Sequence, residues 1–212
     1  MDWSDFSQLL AGFWVTIGVS LAAVCIGVPC GLGLALIRWR KIPGLDGMVA
    51  TLVSFLRAIP SVTLILLVYF AFPGIGLSLN RMEAAIFVLA VGTMAFDCEI
   101  WRGALIAFPR DQLDAAIACG MPRGLRFRRI VLPQITRACL PALMNEISLV
   151  IKVSPAVAVI GLVDTTRAAT RIGADTYEPL KAFLASFVLY AVLIAAILAA
   201  QRLVARRIGA PA

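Results

Sequence analysis

The sequence predicts an all-α membrane protein with five transmembrane helices, and three observations support this. Of the 212 residues, 61% are hydrophobic and only 15% are charged, and the mean hydropathy is +0.95. A soluble domain is about half apolar and a quarter charged. Apolar runs long enough to cross a bilayer recur along the chain. Lysine and arginine concentrate in alternate loops between these runs, as they do in proteins with one orientation in a membrane.

The composition also narrows the classes of function. The net charge is +7, but the basic residues lie mainly between the apolar runs and form no continuous stripe. This favours a membrane surface over nucleic acid as their binding partner. The chain has no histidine, and its five cysteines show no metal-ligand spacing. We therefore predict no catalytic residue, no metal site and no cofactor bound by this chain. A membrane enzyme would need a catalytic cluster that these residue types do not supply.

The first apolar run, residues 9–37, contains no charge until its end and exceeds the ~20 residues that one span needs. We expect this helix to be tilted or to start at the membrane interface. Gly27 and Gly31 lie four residues apart within it, a spacing that favours close packing against another helix. Glycine is also common in membrane helices generally, so that spacing has a second interpretation.

The remaining runs complete the count of five spans. They are predicted at residues 48–72, 83–108, 134–163 and 179–200. Arg57 and Pro60 interrupt the second span, and a turn is expected just after it at Pro73-Gly74-Ile75-Gly76. A polar, basic loop, residues 109–133, separates the third span from the fourth.

The loop charges predict the orientation. One set of loops holds eleven basic residues: Arg38, Arg40, Lys41, Arg110, Arg123, Arg126, Arg128, Arg129, Arg202, Arg206 and Arg207. The other set holds three: Arg81, Arg167 and Arg171. The first set is expected to be cytoplasmic, which places the N-terminus outside and the C-terminus inside.

Polar and charged residues within the spans mark candidate sites, because a charge at the centre of a spanning helix costs at least ~2.5 kcal/mol. The candidates for a substrate pathway are Arg57, Asp97, Glu99, Asn145, Glu146 and Lys152. Glu99 can instead pair with Arg102, three residues along the same helix. Asn145 and Lys152 are seven residues apart and can share a helix face.

The loop at 109–133 contains a short predicted helix. Asp111 is expected to cap it, Asp114 suits its first turns, and it should stop near Gly120 and Pro122. By itself this pattern is compatible with a surface helix that arginines anchor to lipid phosphates.

The loop also carries a spaced motif. It reads Asp114-Ala115-Ala116, then Gly120, then Ile130-Val131-Leu132-Pro133. This resembles the Glu-Ala-Ala, Gly, Ile-x-Leu-Pro signature of permeases of binding-protein-dependent ABC importers, at the same intervals, with aspartate in place of glutamate. Other segments resemble the polar amino-acid branch of that family. They are Phe55–Pro60, Cys98–Ala104, Leu132–Gln134, Asn145-Glu146, Ile151-Lys152 and Val159–Gly161.

The resemblance implies a type I ABC importer permease of five spans. It implies that Asp114, Ala115, Ala116, Gly120, Ile130, Leu132 and Pro133 couple the chain to a separate ATPase dimer that uses ATP and magnesium. It implies a second permease subunit, identical or paralogous, and an extracytoplasmic solute-binding protein in a bacterial inner membrane. The chain itself has no phosphate-binding loop, since no glycine is followed by lysine.

The substrate is the least determined part. A polar amino acid needs a donor for its carboxylate, from Lys152 or Arg57, and an acceptor for its ammonium group, from Glu146 or Asp97. Asp97 stands where the branch has an apolar residue, which favours a cationic or large polar substrate. Val153-Ser154-Pro155 also departs from the branch. Another solute, such as an opine, a betaine or methionine, remains an alternative. A secondary transporter is a further one, although no inverted repeat is evident.

Overall fold

The computed structural model describes residues 2–208, and the side chains of residues 2–204. Nine α-helices lie in this part of the chain. They are α1 Trp3–Trp39, α2 Leu45–Ala58, α3 Ser61–Ala71, α4 Arg81–Ala107, α5 Arg110–Ala118, α6 Arg123–Arg126, α7 Leu132–Val153, α8 Thr165–Thr176 and α9 Pro179–Ile208. Short 3₁₀ segments follow α3 and α7, and a π-helical segment, Phe127–Val131, joins α6 to α7.

Within residues 2–208, four stretches of helix are long and apolar enough to cross a membrane: α1, α4, the run Arg123–Ile160 that contains α6 and α7, and α9. The bent pair α2–α3 provides a fifth crossing if its two halves are taken together. The predicted all-α membrane fold is thereby confirmed. The orientation stays a prediction, and the side chains of Arg206 and Arg207, which contributed to it, lie outside the described residues.

The second span differs from its prediction as one run over residues 48–72. The chain breaks between α2 and α3, whose axes are bent by 105°. Ile59 is extended, with φ −83° and ψ 130°, because the ring of Pro60 disfavours helical backbone in the preceding residue. The first helix also differs, since α1 begins at Trp3 and runs for 37 residues, about 55 Å at 1.5 Å per residue.

α1 packs along α4, and glycines on α1 let the two backbones approach closely. A Cβ atom added to Gly27 would lie 2.6 Å from the Cβ of Thr93, a distance that real Cβ atoms do not reach. Gly31 meets α4 one turn further along. The predicted role of the Gly27 and Gly31 spacing in close packing is therefore confirmed, and α4 is the partner helix.

Side-chain caps position α4 and α8. Asn80 and Glu83 form a reciprocal capping box: the Asn80 Oδ1 accepts from the Glu83 backbone N–H at 2.9 Å, and the Glu83 carboxylate accepts from the Asn80 N–H at 2.8 Å. Asp164 caps α8 by accepting from the Arg167 N–H at 2.8 Å. Both caps satisfy backbone donors that a helix start leaves unpaired.

Large apolar side chains remain exposed on α3 and α9. Phe70 and Phe187 are each 68% exposed, and Leu180 is 71% exposed. Water would penalise so large an apolar surface, so lipid or another protein chain must cover it.

Candidate functional site

The predicted helix in the loop is α5, which begins two residues earlier than expected. Pro109 occupies the N-cap position, and Asp111 lies in the first turn without making a capping hydrogen bond. The expectation that Asp111 caps this helix is therefore wrong. Pro109 fits the site because its backbone angles are extended and its missing N–H would have had no helical partner.

The end of α5 follows the prediction. Gly120 has a positive φ of 71°, the left-handed conformation that glycine adopts without strain. Its N–H donates to the Ile117 carbonyl at 2.9 Å, and the Met121 N–H donates to the Ala116 carbonyl at 3.0 Å. These two bonds form a Schellman motif that closes the helix and satisfies its last carbonyls.

The motif residues of α5 divide between two faces. Asp114, Ala115 and Gly120 are exposed, whereas Ala116 is only 5% exposed. Ala116 therefore packs against the chain's own interior and does not present its methyl group to a partner. The surface available for docking consists of the exposed members and their neighbours.

The second half of the motif joins the loop to the transmembrane bundle. Val131 is 1% exposed, and Ile130 and Leu132 pack against the same buried cluster of α1, α2, α4 and α7. Pro133 is the second residue of α7, directly after the π-helical segment. The Gln134 side-chain amide donates to the Gln112 Oε1 at 2.7 Å. α5 is thus in direct contact with the start of α7.

The predicted pairing of Glu99 with Arg102 is confirmed, and a third residue joins it. The Glu99 carboxylate accepts from the Arg102 Nε at 2.8 Å and Nη2 at 2.6 Å, and also from the Arg38 guanidinium of α1. The Arg38 Nε lies 3.6 Å from the Asp46 carboxylate of α2. Glu99 is therefore held between two cations, and the network ties three helices together. The sequence indicates Arg38 only as one of the basic loop residues that predict orientation, because no local spacing links it to Glu99.

A second polar group lies between α2, α4 and α7 and is partly exposed in a single chain. The Arg57 guanidinium lies 5.0 Å from the centre of the Phe96 ring, a cation–π contact. Arg57 and Asp97 both lie close enough to Glu146 for electrostatic interaction. Three predicted pathway residues from α2, α4 and α7 are thus brought together.

Asp97 is fully enclosed. It is 0% exposed, and neither carboxylate oxygen has a hydrogen-bond partner among the described residues. Its Cβ faces Gly31 of α1, and its charge reaches Cys139 of α7. Asp97 therefore influences Glu146 only through its charge, and it does not line an open surface of this chain.

The other two candidates, Asn145 and Lys152, lie on an exposed part of α7. Their separation of two helical turns puts them on one face, as predicted. A lysine is expensive in contact with lipid tails, so this face requires water or a partner chain.

One polar network at the other end of the bundle was not predicted. The hydroxyl groups of Thr16 and Thr165 lie 2.9 Å apart, and Asp164 accepts from the Tyr190 hydroxyl at 3.4 Å. Asp164 and both threonines are buried. The network joins α1, α8 and α9. Thr16 and Thr165 are 149 residues apart, so no local sequence pattern predicts their contact.

A bundle of spans with charged side chains inside the membrane region, and a short exposed helix between two spans, is the architecture of a transporter's permease subunit. The chain belongs to the family of binding-protein-dependent transport system inner membrane components, whose model matches residues 27–210. It is a multi-pass membrane protein.

Individual relatives agree with this assignment. The chain is 33% identical over 197 residues to the octopine transport system permease protein OccM of Rhizobium meliloti, covering 89% of this chain and 80% of that one. It is 30% identical over 187 residues to the arginine transport system permease protein ArtQ of Bacillus subtilis, covering 88% and 85%. The resemblance to the polar amino-acid branch is confirmed by these relatives.

Solved structures share the fold. A crystal structure of an amino acid ABC transporter with histidines superposes with a TM-score of 0.87 at 28% identity, covering 98% of this chain and 99% of that chain. The inward-facing MetNI methionine ABC transporter gives a TM-score of 0.84 at 22% identity, with the same coverage, which supports the fold alone.

Proposed function

We propose that this chain forms half of a pathway that imports a polar amino acid, or a derivative such as an opine, across a bacterial inner membrane by alternating access. The observation that carries the proposal is the link from the exposed helix α5 to α7, through Gln112 and Gln134. α7 also bears Asn145, Glu146 and Lys152. Movement of one short helix therefore repositions the polar residues of the fourth span.

The energy source is a separate ATPase dimer that binds ATP and magnesium. It docks on the exposed residues Asp114, Ala115 and Gly120, where small side chains allow close approach and one carboxylate can meet a basic partner group. This chain makes and breaks no covalent bond in the cycle. An extracytoplasmic binding protein delivers the solute to the opposite side of the membrane.

The pathway itself lies between two permease subunits. Arg57, Asn145 and Lys152 are exposed in a single chain, and none of them forms an ion pair with another described residue. A second subunit, identical or paralogous, would enclose them with water and solute instead of lipid.

The substrate class follows from the balance of charge in the cluster. Glu146 and Asp97 provide two carboxyl groups beside one guanidinium, that of Arg57. Glu146 suits the ammonium or guanidinium end of a cationic amino acid, the enclosed Asp97 lies behind it, and Arg57 or Lys152 suits the carboxylate of that amino acid. The relatives named for octopine and arginine transport support this class.

The coupling step is tested in the complete transporter reconstituted into liposomes. Changing Asp114 to Asn and Gly120 to Ala together should abolish ATP-driven uptake while the complex still inserts and assembles. The matched control is Asp111→Asn, an exposed acid of the same helix outside the motif, which should leave uptake unchanged. If the double variant assembles and pumps solute at the full rate, the coupling role of α5 is wrong.

A further inference from the structure

A cavity of about 1040 Å³ opens where the ends of α1 and α4 meet α5 and α6. This exceeds the upper end of the roughly 300–1,000 Å³ that small-molecule sites occupy. The predicted orientation places it at the inner surface of the membrane. Asp114, one of the proposed coupling residues, also lines this cavity, so the cavity borders the docking surface of α5.

The lining of the cavity is strongly basic. Seven lysine and arginine side chains line it, against two acidic ones. Arg38 and Arg102 already bind Glu99. The other five form no ion pair with any described residue; they are Arg40, Lys41, Arg110, Arg123 and Arg126. Five uncompensated cations around one concave space favour an anionic occupant.

The same cavity is also apolar on part of its wall. Leu105, Ile106 and Phe108 line it at the end of α4, and Phe127 lines it from the π-helical segment. Ile106 is 62% exposed near the end of α4, and the ends of spanning helices lie close to the headgroup region. The occupant therefore combines negative charge with apolar chains.

We propose that this basic cavity binds the headgroup and upper acyl chains of an anionic phospholipid from the cytoplasmic leaflet. Basic pockets between spans on that side of a membrane recognise anionic headgroups. A soluble anion would leave the apolar wall uncovered. An acidic protein segment is the competing occupant, because α5 is also the proposed docking helix of the ATPase.

The test is native mass spectrometry of the purified full-length chain in detergent, titrated with phosphatidylglycerol and, separately, with phosphatidylcholine. The chain should bind phosphatidylglycerol at least about tenfold more tightly. Replacing Arg123 and Arg126 by glutamine should remove most of that preference. The matched control replaces Arg128 and Arg129, which lie in the same loop, are exposed and do not line the cavity; it should keep the preference.

Further arms separate the possible occupants. Higher salt should weaken phosphatidylglycerol binding to the unmodified chain, a readout that does not depend on any variant folding. Equal binding of both lipids, or equal loss in both double variants, would overturn the proposal. Displacement of the lipid by inorganic phosphate alone, or by the ATPase subunits on assembly, would also overturn it. Because binding is measured without ATP or transport, failure here leaves the proposed import function standing.

Discussion

Gly31 of α1 lies directly against Asp97 of α4: a Cβ atom added to the glycine would come within 2.9 Å of the aspartate Cβ and 3.0 Å of the Cys98 backbone nitrogen. This contact places a buried acid within the close-packed part of the α1–α4 interface. It joins two features of the chain, the glycine spacing of the first span and the extra acid of the third.

Gly31→Ala and Gly27→Ala should each destabilise the chain by about 1–3 kcal/mol, because the new methyl group meets backbone or Cβ atoms that cannot rotate away. Thermal unfolding in detergent measures the effect. Gly33→Ala is the matched control, since a Cβ there has no neighbour within 4 Å, and it should stabilise slightly by restricting the unfolded chain. Equal stability of Gly31→Ala and Gly33→Ala would contradict the close contact.

Glu99→Gln should lower stability by about 2 kcal/mol, since it leaves the Arg38 and Arg102 guanidinium groups without their carboxylate in a mostly buried site. The side chains of Arg38 and Glu99 are only 15% and 22% exposed. Glu178→Gln removes a carboxylate with the same three-residue spacing to Lys181, but that pair is at least half exposed. No measurable change in melting temperature is expected for this control. Similar losses in both variants would rule out a special role for the Glu99 network.

Asp97→Asn should reduce the preference for arginine over glutamine in reconstituted uptake by about tenfold. Removing negative charge near the pathway weakens the attraction for a cationic solute and leaves that for a neutral solute unchanged. Asparagine keeps the shape of the side chain, so the packing against Gly31 is retained. Asp175→Asn, in the exposed part of α8, is the control and should not alter the ratio. An arginine-to-glutamine ratio unchanged in Asp97→Asn would remove Asp97 from substrate selection.

Asp164 should make stability depend on pH. Its side chain is fully buried at the start of α8, and burial raises the pKa of its carboxyl above the ordinary value of 3.8. The folded chain therefore holds the proton more tightly than the unfolded chain. Stability should fall as the pH rises from about 3.8 through the raised pKa. Melting temperatures recorded across this range measure the slope.

Asp164→Asn should flatten that pH slope while keeping the helix cap, since asparagine caps as well as aspartate. Asp175→Asn again serves as the control and should show the slope of the unmodified chain. Parallel curves for Asp164→Asn and the unmodified chain would show that another group sets the pH dependence.

Short sequence patterns predicted those features of the structure that depend only on residues close together in the chain. The pairing of Glu99 with Arg102 followed from their spacing of three, and the end of α5 followed from Gly120, because both depend on backbone within one helical turn. The sequence indicated an interruption of the second span at Pro60, but it did not predict two helices bent by 105°. That angle depends on how α3 packs against α4 and the 3₁₀ segment after α7.

The membrane class, the apolar runs, the charge asymmetry of the loops and the coupling motif were all determined by the sequence by itself, since each depends on composition or on fixed short spacings. Only the tertiary structure decided that Arg38 binds Glu99 and that Ala116 is buried. It also decided that Asp97 is buried against Gly31 and that basic side chains surround a cavity. The physical reason is that these contacts join residues far apart in the chain. Their partners are selected by the packing of whole helices, which sums many weak interactions that no short segment contains.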